Sequence, residues 1–460
     1  MTASSFTSLA LRPELLNNLP SLGYLQMTEV QALSVPAILD GRDVLAQAQT
    51  GSGKTAAFGL GLLQRLDPMQ LSIQGLVLCP TRELADQVAN ELRRLARGMP
   101  NIKVLTLCGG QPFGPQMASL EQGAHLLVGT PGRIEDHLRR THLDLQHLKM
   151  LVLDEADRML DMGFSDTLDA ILAATPTHRQ TLMLSATFPD AIRTLAAASL
   201  RDPLLVEVES QASTPKITQH FYRLSQEQQR FSTLRTLLLQ RAPEMGIIFC
   251  TTRQDTQQLA EALSQAGFSA LPLHGDMEQR DRDHTLIQFA HRSANLLVAT
   301  DVAARGLDIA DLDLVVNYQL AQDPEAHIHR IGRTGRAGAE GVAISLVGPE
   351  DERRLDAIRA ITHHACSLEA LPATTQALAD PVPAPMKTLI IDGGKKDKLR
   401  PGDILGALTA CEQLGREQIG KITITPRRAY VSIERELAKT ALDHLNQGKL
   451  KGRNFRVRYL

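Results

Sequence analysis

Leu151-Val152-Leu153, a run without charge, leads directly into Asp154-Glu155-Ala156-Asp157. Apolar residues bounded in this way read as a strand buried on both faces of a parallel sheet, which requires helices on either side. Carboxylates that emerge where such a strand ends stand at the edge where open α/β sheets bind their ligands. One can hold Mg²⁺ and the next can orient or deprotonate a water. An acidic first turn of a helix, favoured by the dipole, would give the same residues. The choice between the two readings needs a second motif.

That motif is Ala48-Gln49-Thr50-Gly51-Ser52-Gly53-Lys54-Thr55, which follows the strand-like Asp43-Val44-Leu45-Ala46. Glycines let the backbone curl so that successive N–H groups point at phosphate. Lys54 would reach the β- and γ-phosphates, and the Thr55 hydroxyl would bind Mg²⁺. Ala48 stands where the general pattern has its first glycine, while Gly53-Lys54-Thr55 is intact. A phosphate loop followed by a strand-end acidic pair identifies a P-loop NTPase.

The 460 residues allow about three domains. An apolar fraction of 43% and a charged fraction of 22% are ordinary for soluble globular proteins. The net charge of −2 does not announce nucleic acid, but its distribution does. Residues 386–460 carry 16 Lys and Arg against 8 Asp and Glu, which points to an appended unit that binds a polyanion. A solvated basic face is the alternative. The five cysteines are scattered without metal-ligand spacing and read as reduced core residues of a cytosolic protein. Neither a signal peptide nor a membrane-length apolar run is apparent, so a soluble, cytoplasmic chain is expected; a monomer is expected as well.

Short buried-strand runs recur with helical segments between them, at residues 75–79, 126–128, 151–153 and 182–184, and again at 246–250, 296–299, 314–316 and 342–346. The alternation predicts an α/β fold of two tandem parallel sheets. Only the first carries a phosphate loop. The expected domains are 1–208, a polar hinge 209–218, 219–366, a Pro/Ala-rich spacer 367–385, and 386–460. The last reads as strand, helix, strand, strand, helix, strand, the split βαββαβ arrangement.

The first 366 residues resemble a DEAD-box RNA helicase core with two RecA-like domains. Gln31 matches the family's adenine-reading glutamine, with Tyr24 in the same motif and Phe6 at the spacing of the upstream aromatic. The resemblance assigns ATP to these three and to the loop Gln49, Thr50, Gly51, Ser52, Gly53, Lys54 and Thr55. It assigns RNA contacts to Pro80, Arg82, Gly110, Thr130 and Arg133, and in the second domain to Thr251, Arg253 and Thr300. Arginines, hydroxyls and exposed backbone N–H groups suit a sugar–phosphate chain without reading bases. Gln279-Arg280 also belongs to the second-domain motif set. Asp308 would contact the ribose. Arg333 and Arg336 would act as arginine fingers with Lys54, Asp154 and Glu155 as the catalytic set. Asp157, Ser185, Thr187, His329 and Arg330 would couple ATP state to RNA binding. His327 stands where many relatives carry tyrosine.

The final 75 residues resemble an RNA-recognition (RRM-like) fold, yet Tyr430 is the only aromatic of the third strand and the first strand has none. Base stacking on the sheet is therefore not expected to dominate. The basic clusters Lys395, Lys396, Lys398, Arg400 and Lys449, Lys451, Arg453, Arg456, Arg458 would grip phosphates, with Tyr430 as a further contact. The whole chain is similar to bacterial helicases of ribosomal RNA. This implies an ATP- and Mg²⁺-dependent RNA helicase directed to a structured hairpin of 23S rRNA in pre-50S particles. Docking of a protein on the same fold, a DNA translocase, and an ATP-gated RNA clamp or general RNA chaperone are the alternatives.

Overall fold

A computed structural model of the chain describes residues 5–48, 52–208, 217–304, 312–335, 340–362, 366–371 and 380–460. Gln49, Thr50, Gly51, Asp308 and Arg336 lie outside the described residues, as do most of the expected hinge and the middle of the spacer. The described chain forms two compact units, one running to Val208 and one beginning at Ile217.

The first unit is a seven-stranded parallel sheet of β1 (Val44–Gln47), β2 (Gly75–Leu78), β3 (Val104–Leu107), β4 (Leu126–Gly129), β5 (Met150–Asp154), β6 (Gln180–Ser185) and β7 (Leu204–Glu207). Its order is β3-β4-β2-β5-β6-β1-β7. Alternation along each strand sends side chains to two separate cores. Val77, Val128, Val152 and Leu182 pack on one face, and Leu76, Leu127, Leu151 and Met183 on the other. The phosphate loop follows β1 and the acidic residues follow β5. Because every pairing is parallel, both emerge on the same edge.

The second unit repeats the architecture with β8 (Ile217–Arg223), β9 (Gly246–Cys250), β10 (Ala270–Leu273), β11 (Leu296–Thr300), β12 (Leu314–Asn317), β13 (Gly341–Val347) and β14 (Leu368–Glu369), in the order β10-β11-β9-β12-β13-β8-β14. Two of these strands cross the expected domain bounds. β8 begins inside the expected hinge, and its mixed residues Ile217 to Arg223 hid it from a search for apolar runs. β14 falls inside the expected spacer and pairs parallel with β8.

The same unit holds the C-terminal βαββαβ element. Here β15 (Met386–Ile391), β16 (Ile419–Ile424), β17 (Ala429–Glu434) and β18 (Val457–Tyr459) form an antiparallel sheet in the order β16-β17-β15-β18. Leu389, Ile391, Val431, Ile433 and Val457 pack beneath the helices Pro401–Thr409 and Ala438–Gln447. The middle of the opposite face is covered as well. Thr388, Ile390, Tyr430 and Ser432 on that face are all buried, against the helix Gln279–Ala290 and the turn after it. The Tyr430 ring meets His284 edge-on at 6.0 Å. His291 Nε2 lies 2.8 Å from Thr423 Oγ1, and the Ser293 and Thr388 hydroxyls are 2.6 Å apart. Met386 N donates to Arg292 O at 3.3 Å.

The end of the spacer is also packed rather than free. Ala384 is fully buried, its N–H donates to Ser269 Oγ at 3.0 Å, and its carbonyl accepts from Arg435 Nε at 2.5 Å. Its prolines keep the strap extended, as their fixed φ requires, but the domain surface holds it down. No helix of the described residues is long and apolar enough to cross a membrane.

Candidate nucleotide and RNA sites

Gly53 ends the phosphate loop with φ +92°, a left-handed conformation that favours glycine. It opens the helix Lys54–Arg65, with Thr55 partly exposed in the first turn. A Cβ on Gly53 would stand 2.4 Å from Gln31 Nε2. Gln31 is 1% exposed and both ends of its amide are engaged. Nε2 donates to Gly53 O at 3.0 Å, and Oε1 accepts from Thr28 N at 2.9 Å. The Thr28 hydroxyl donates to Ser52 O at 2.7 Å. The glutamine motif therefore supports the phosphate loop directly. Thr28 is a supporting residue that the sequence reading did not single out. Phe6 is buried and meets Tyr24 edge-on at 6.3 Å. Tyr24 Oη donates to Glu91 at 2.9 Å, and burial followed by that carboxylate pushes the phenol up to about 12.

Lys54 is buried and its ammonium donates to Ala48 O at 2.6 Å, folded over the start of its own loop. Asp154 is buried at the end of β5. Burial raises its pKa to about 6, with Lys54 opposing and the Glu155 and Asp157 charges adding to the rise. Glu155 has φ +53°, unusual for a residue with a side chain, and starts the helix Ala156–Asp161. Arg158 Nη1 lies 2.9 Å from Glu155 Oε2.

Asp157 serves a neighbouring strand end. Its Oδ2 accepts from Ala186 N, Thr187 N and Thr187 Oγ1 at 3.0, 3.1 and 3.2 Å. Ser185 Oγ donates to Thr187 O at 2.6 Å. The acidic stretch and the Ser-Ala-Thr stretch are thus one hydrogen-bonded unit. No group of three or more His, Cys, Asp or Glu side chains able to hold a metal occurs among the described residues.

Further along the same edge, β2, β3 and β4 bring Pro80, Arg82, Gly110, Thr130 and Arg133 into one neighbourhood. Gly110, at φ +69°, leaves room for the Arg82 guanidinium, which a Cβ would strike. Arg133 donates to Gln116 Oε1 at 2.8 Å and to Gln111 O, and stacks over Phe113 at 4.8 Å. Buried Gln116 also bonds Cys108 O and His137. Nothing in the local sequence pattern distinguishes Gln116 or Phe113 as supports for this arginine.

In the second unit, Thr251 N and Oγ1 both donate to Gln319 Oε1 at 2.7 Å. Arg253 pairs with Asp276, and Thr300 is buried at the end of β11. Arg330 is enclosed, with a bidentate pair to Asp301 at 2.6 and 2.7 Å, further bonds to Asn317 Oδ1 and Gln319 O, and Phe249 beneath its plane at 5.0 Å. It secures the strand ends from within. His329 is partly exposed on the same helix, and Arg333 is buried. His327 is buried beside Asn317 and Gln219.

The C-terminal basic clusters converge on one end of their sheet. Lys395 N and Lys396 N donate to Thr425 O and Pro426 O, which sets them against the turn carrying Arg427 and Arg428. Asp392 N donates to Arg456 O, and Lys451 Nζ reaches Lys398 O at 2.9 Å. Arg400 and Arg453 are exposed near these segments, and Lys449 immediately precedes the Leu450–Arg453 turn. Arg427 and Arg428 were not among the expected contacts. Tyr430, which was, is 4% exposed, because the sheet face that holds it is the docked one.

The chain matches the DEAD/DEAH box helicase family over residues 28–195, the helicase conserved C-terminal domain over 229–338 and the DbpA RNA binding domain over 388–459. It is 53% identical to the ATP-dependent RNA helicase DbpA of Escherichia coli over the whole of both chains. A DEAD-box ATP-dependent RNA helicase CshA from Bacillus cereus is 43% identical over 82% of this chain and 71% of its own. Among solved structures, Dbp5 of S. cerevisiae bound to RNA and ADP BeF3 aligns with TM-score 0.72 and 33% identity, over 80% of this chain and 96% of that one. With these matches the chain belongs to the DEAD-box ATP-dependent RNA helicases and carries a DbpA-type RNA-binding domain.

Proposed function

We propose that this helicase remodels short duplexes in 23S rRNA within pre-50S particles of the cytoplasm, directed there by its C-terminal domain. The observation that carries the targeting is the convergence of Lys395, Lys396, Arg427 and Lys451 at one end of that domain. Such an end suits the phosphates and shape of a folded RNA better than stacked bases.

In the core, Lys54 holds the nucleotide phosphates and Glu155 orients the attacking water. Arg333 and Arg336 bear the charge that spreads over the transferring phosphoryl group. Asp154 and Thr55 would hold Mg²⁺, which neutralises phosphate charge when bound. The donor set fits, because Mg²⁺ keeps most of its waters and needs only one or two protein ligands. The crowding of Asp154 by Glu155 and Asp157 also leaves negative charge for a cation to offset. Asp157 passes the state of this site to Ser185 and Thr187. ATP and RNA thereby strengthen each other's binding.

The test compares ATPase activation by intact 23S rRNA, its fragments and unrelated RNA, with Glu155→Gln as the chemical control. Equal activation by all RNAs would remove the targeting. Parental hydrolysis by Glu155→Gln with RNA present would remove the assigned role of Glu155.

A further inference from the structure

The docked sheet has an outer rim that leans over the start of a second-domain helix. Antiparallel register aligns Thr423, Tyr430, Ile390 and Arg458 in one row across the docked face. The next position along the strands belongs to Asp392 and Arg428, which lie on the same face by alternation. Asp392 receives both arginines, Arg458 Nη1 at 2.7 Å and Arg428 Nε at 3.7 Å. Side-chain exposure of about a third in each arginine marks the place where the docked face opens to solvent. Across from them is His284 of the helix Gln279–Ala290, edge-on to Tyr430. Its imidazolium is disfavoured first by burial, then by Arg280, Arg428 and Arg458 together. The charges of three guanidinium groups from two domains therefore act on one ring.

The carboxylates in reach are Asp281, Asp283 and Asp392. Asp392 is shared between two guanidinium groups and Arg428 also bonds the Tyr430 hydroxyl, while each guanidinium has five donors in a fixed fork, which leaves donors for a further anion. Exposed Arg427 and Arg456 add charge beside them.

Position gives the rim its direction. The helix Gln279–Ala290 follows β10, so Arg280 in its first turn stands at the carboxyl edge of the parallel sheet. Thr251 and Arg253 leave β9 at that same edge, and the Arg253 pair with Asp276 ties this edge to the segment just before the helix. On its other side the rim runs into Lys395 and Lys396.

We propose that Arg280, Arg428 and Arg458 form a phosphate-binding bridge for the RNA strand that passes from the C-terminal domain to the second-domain edge of the helicase core. This bridge rests on the RNA-targeting reading above and deepens it. The docked face, having given up base stacking, fixes the distance and direction between the anchored RNA and the strand to be displaced. An anchored hairpin then delivers its flank to the core in one register.

The experiment uses the full chain and a tiled set of 23S rRNA hairpins, the tightest binder being prepared with and without a single-stranded extension. Affinities are read over a range of salt. With the parental protein the extended probe binds more tightly. Arg428→Gln with Arg458→Gln loses about tenfold on the extended probe and less than twofold on the bare hairpin. The slope of log affinity against log salt falls by roughly 0.7 for each phosphate that is no longer neutralised. Arg428→Lys with Arg458→Lys retains most of the binding, and Lys396→Gln weakens both probes alike. Hydrogen exchange of the helix Gln279–Ala290 reports whether the domain is still docked in each variant. Equal losses on both probes with the domain docked, or no loss on either, would overturn the bridge. If no hairpin is preferred over unrelated RNA, the targeting fails instead, and the dependence on the extension is then read with the unrelated RNA.

Discussion

Arg158 and Glu155 form an ion pair at 2.9 Å in which both side chains are under 10% exposed. The carboxylate assigned to the attacking water is thus held by a cation one helical turn away, in a residue whose backbone is left-handed. Removing one member of a buried pair costs more than the pair itself contributes, about 3–5 kcal/mol, since the other charge is left uncompensated. Arg158→Ala is expected to destabilise the first domain by that order in denaturant unfolding. Adding Glu155→Gln should recover a large part of the loss. A loss from Arg158→Ala below about 1 kcal/mol would mean that the pair is not maintained in solution.

Gly53→Ala tests the support beneath the phosphate loop. A side chain there meets Gln31 Nε2 and requires a left-handed φ that costs about 1–2 kcal/mol. Nucleotide affinity, followed with a fluorescent ADP, should fall by about tenfold or more, given that 1.4 kcal/mol is a factor of ten. Gln31→Ala frees the space, so the double variant should lose less than the two single changes predict. Simple additivity would separate the two residues.

Arg330 was expected to couple the ATP and RNA sites, and its side chain is 1% exposed. Its guanidinium makes four hydrogen bonds, to Asp301, Asn317 and Gln319. Arg330→Ala should therefore lower the stability of the second domain by about 3–5 kcal/mol, visible as a reduced melting temperature before any activity is measured. Arg330→Lys, unable to form the fork, should recover only part. An Arg330→Ala protein with parental stability and lost RNA-stimulated ATPase would return the residue to a purely coupling role.

The strands read from the sequence are those in which burial on both faces makes a continuous apolar run, such as 126–128 and 151–153. Val104–Leu107 and Ala270–Leu273 lie at sheet edges, are partly exposed, and gave no comparable signal. The residues assigned to the nucleotide stood out because their spacing is set by the loop and strand end that carry them. Arg158 was not, because an arginine in an acidic helix looks like a solvated charge until its burial is known. Tyr430 marks the same limit. Alternation gives its face of the strand, but whether that face meets RNA or protein depends on residues more than a hundred positions away. Arg427 and Arg428 join the basic end only because the Thr425–Arg428 turn folds against Gly394 and Lys395.

Docking of the C-terminal domain should weaken in mild acid. His291 is buried, with Nε2 on Thr423 Oγ1 and no partner for Nδ1 among the described residues. Burial, followed by the nearby Lys421 charge, lowers its pKa from 6.5 to about 4. A histidine depressed in the docked state binds fewer protons there than when released, so docking gains stability as pH rises. The contribution is fully present above 6.5 and is lost as pH falls from 6.5 towards 4. Hydrogen exchange of the Thr423 strand should therefore accelerate between pH 7 and pH 5, after correction for intrinsic rates. His291→Gln, which keeps a donor and an acceptor but does not titrate, should flatten that dependence. A parental protein whose corrected exchange is constant across this window would show that His291 does not sense the docked interface.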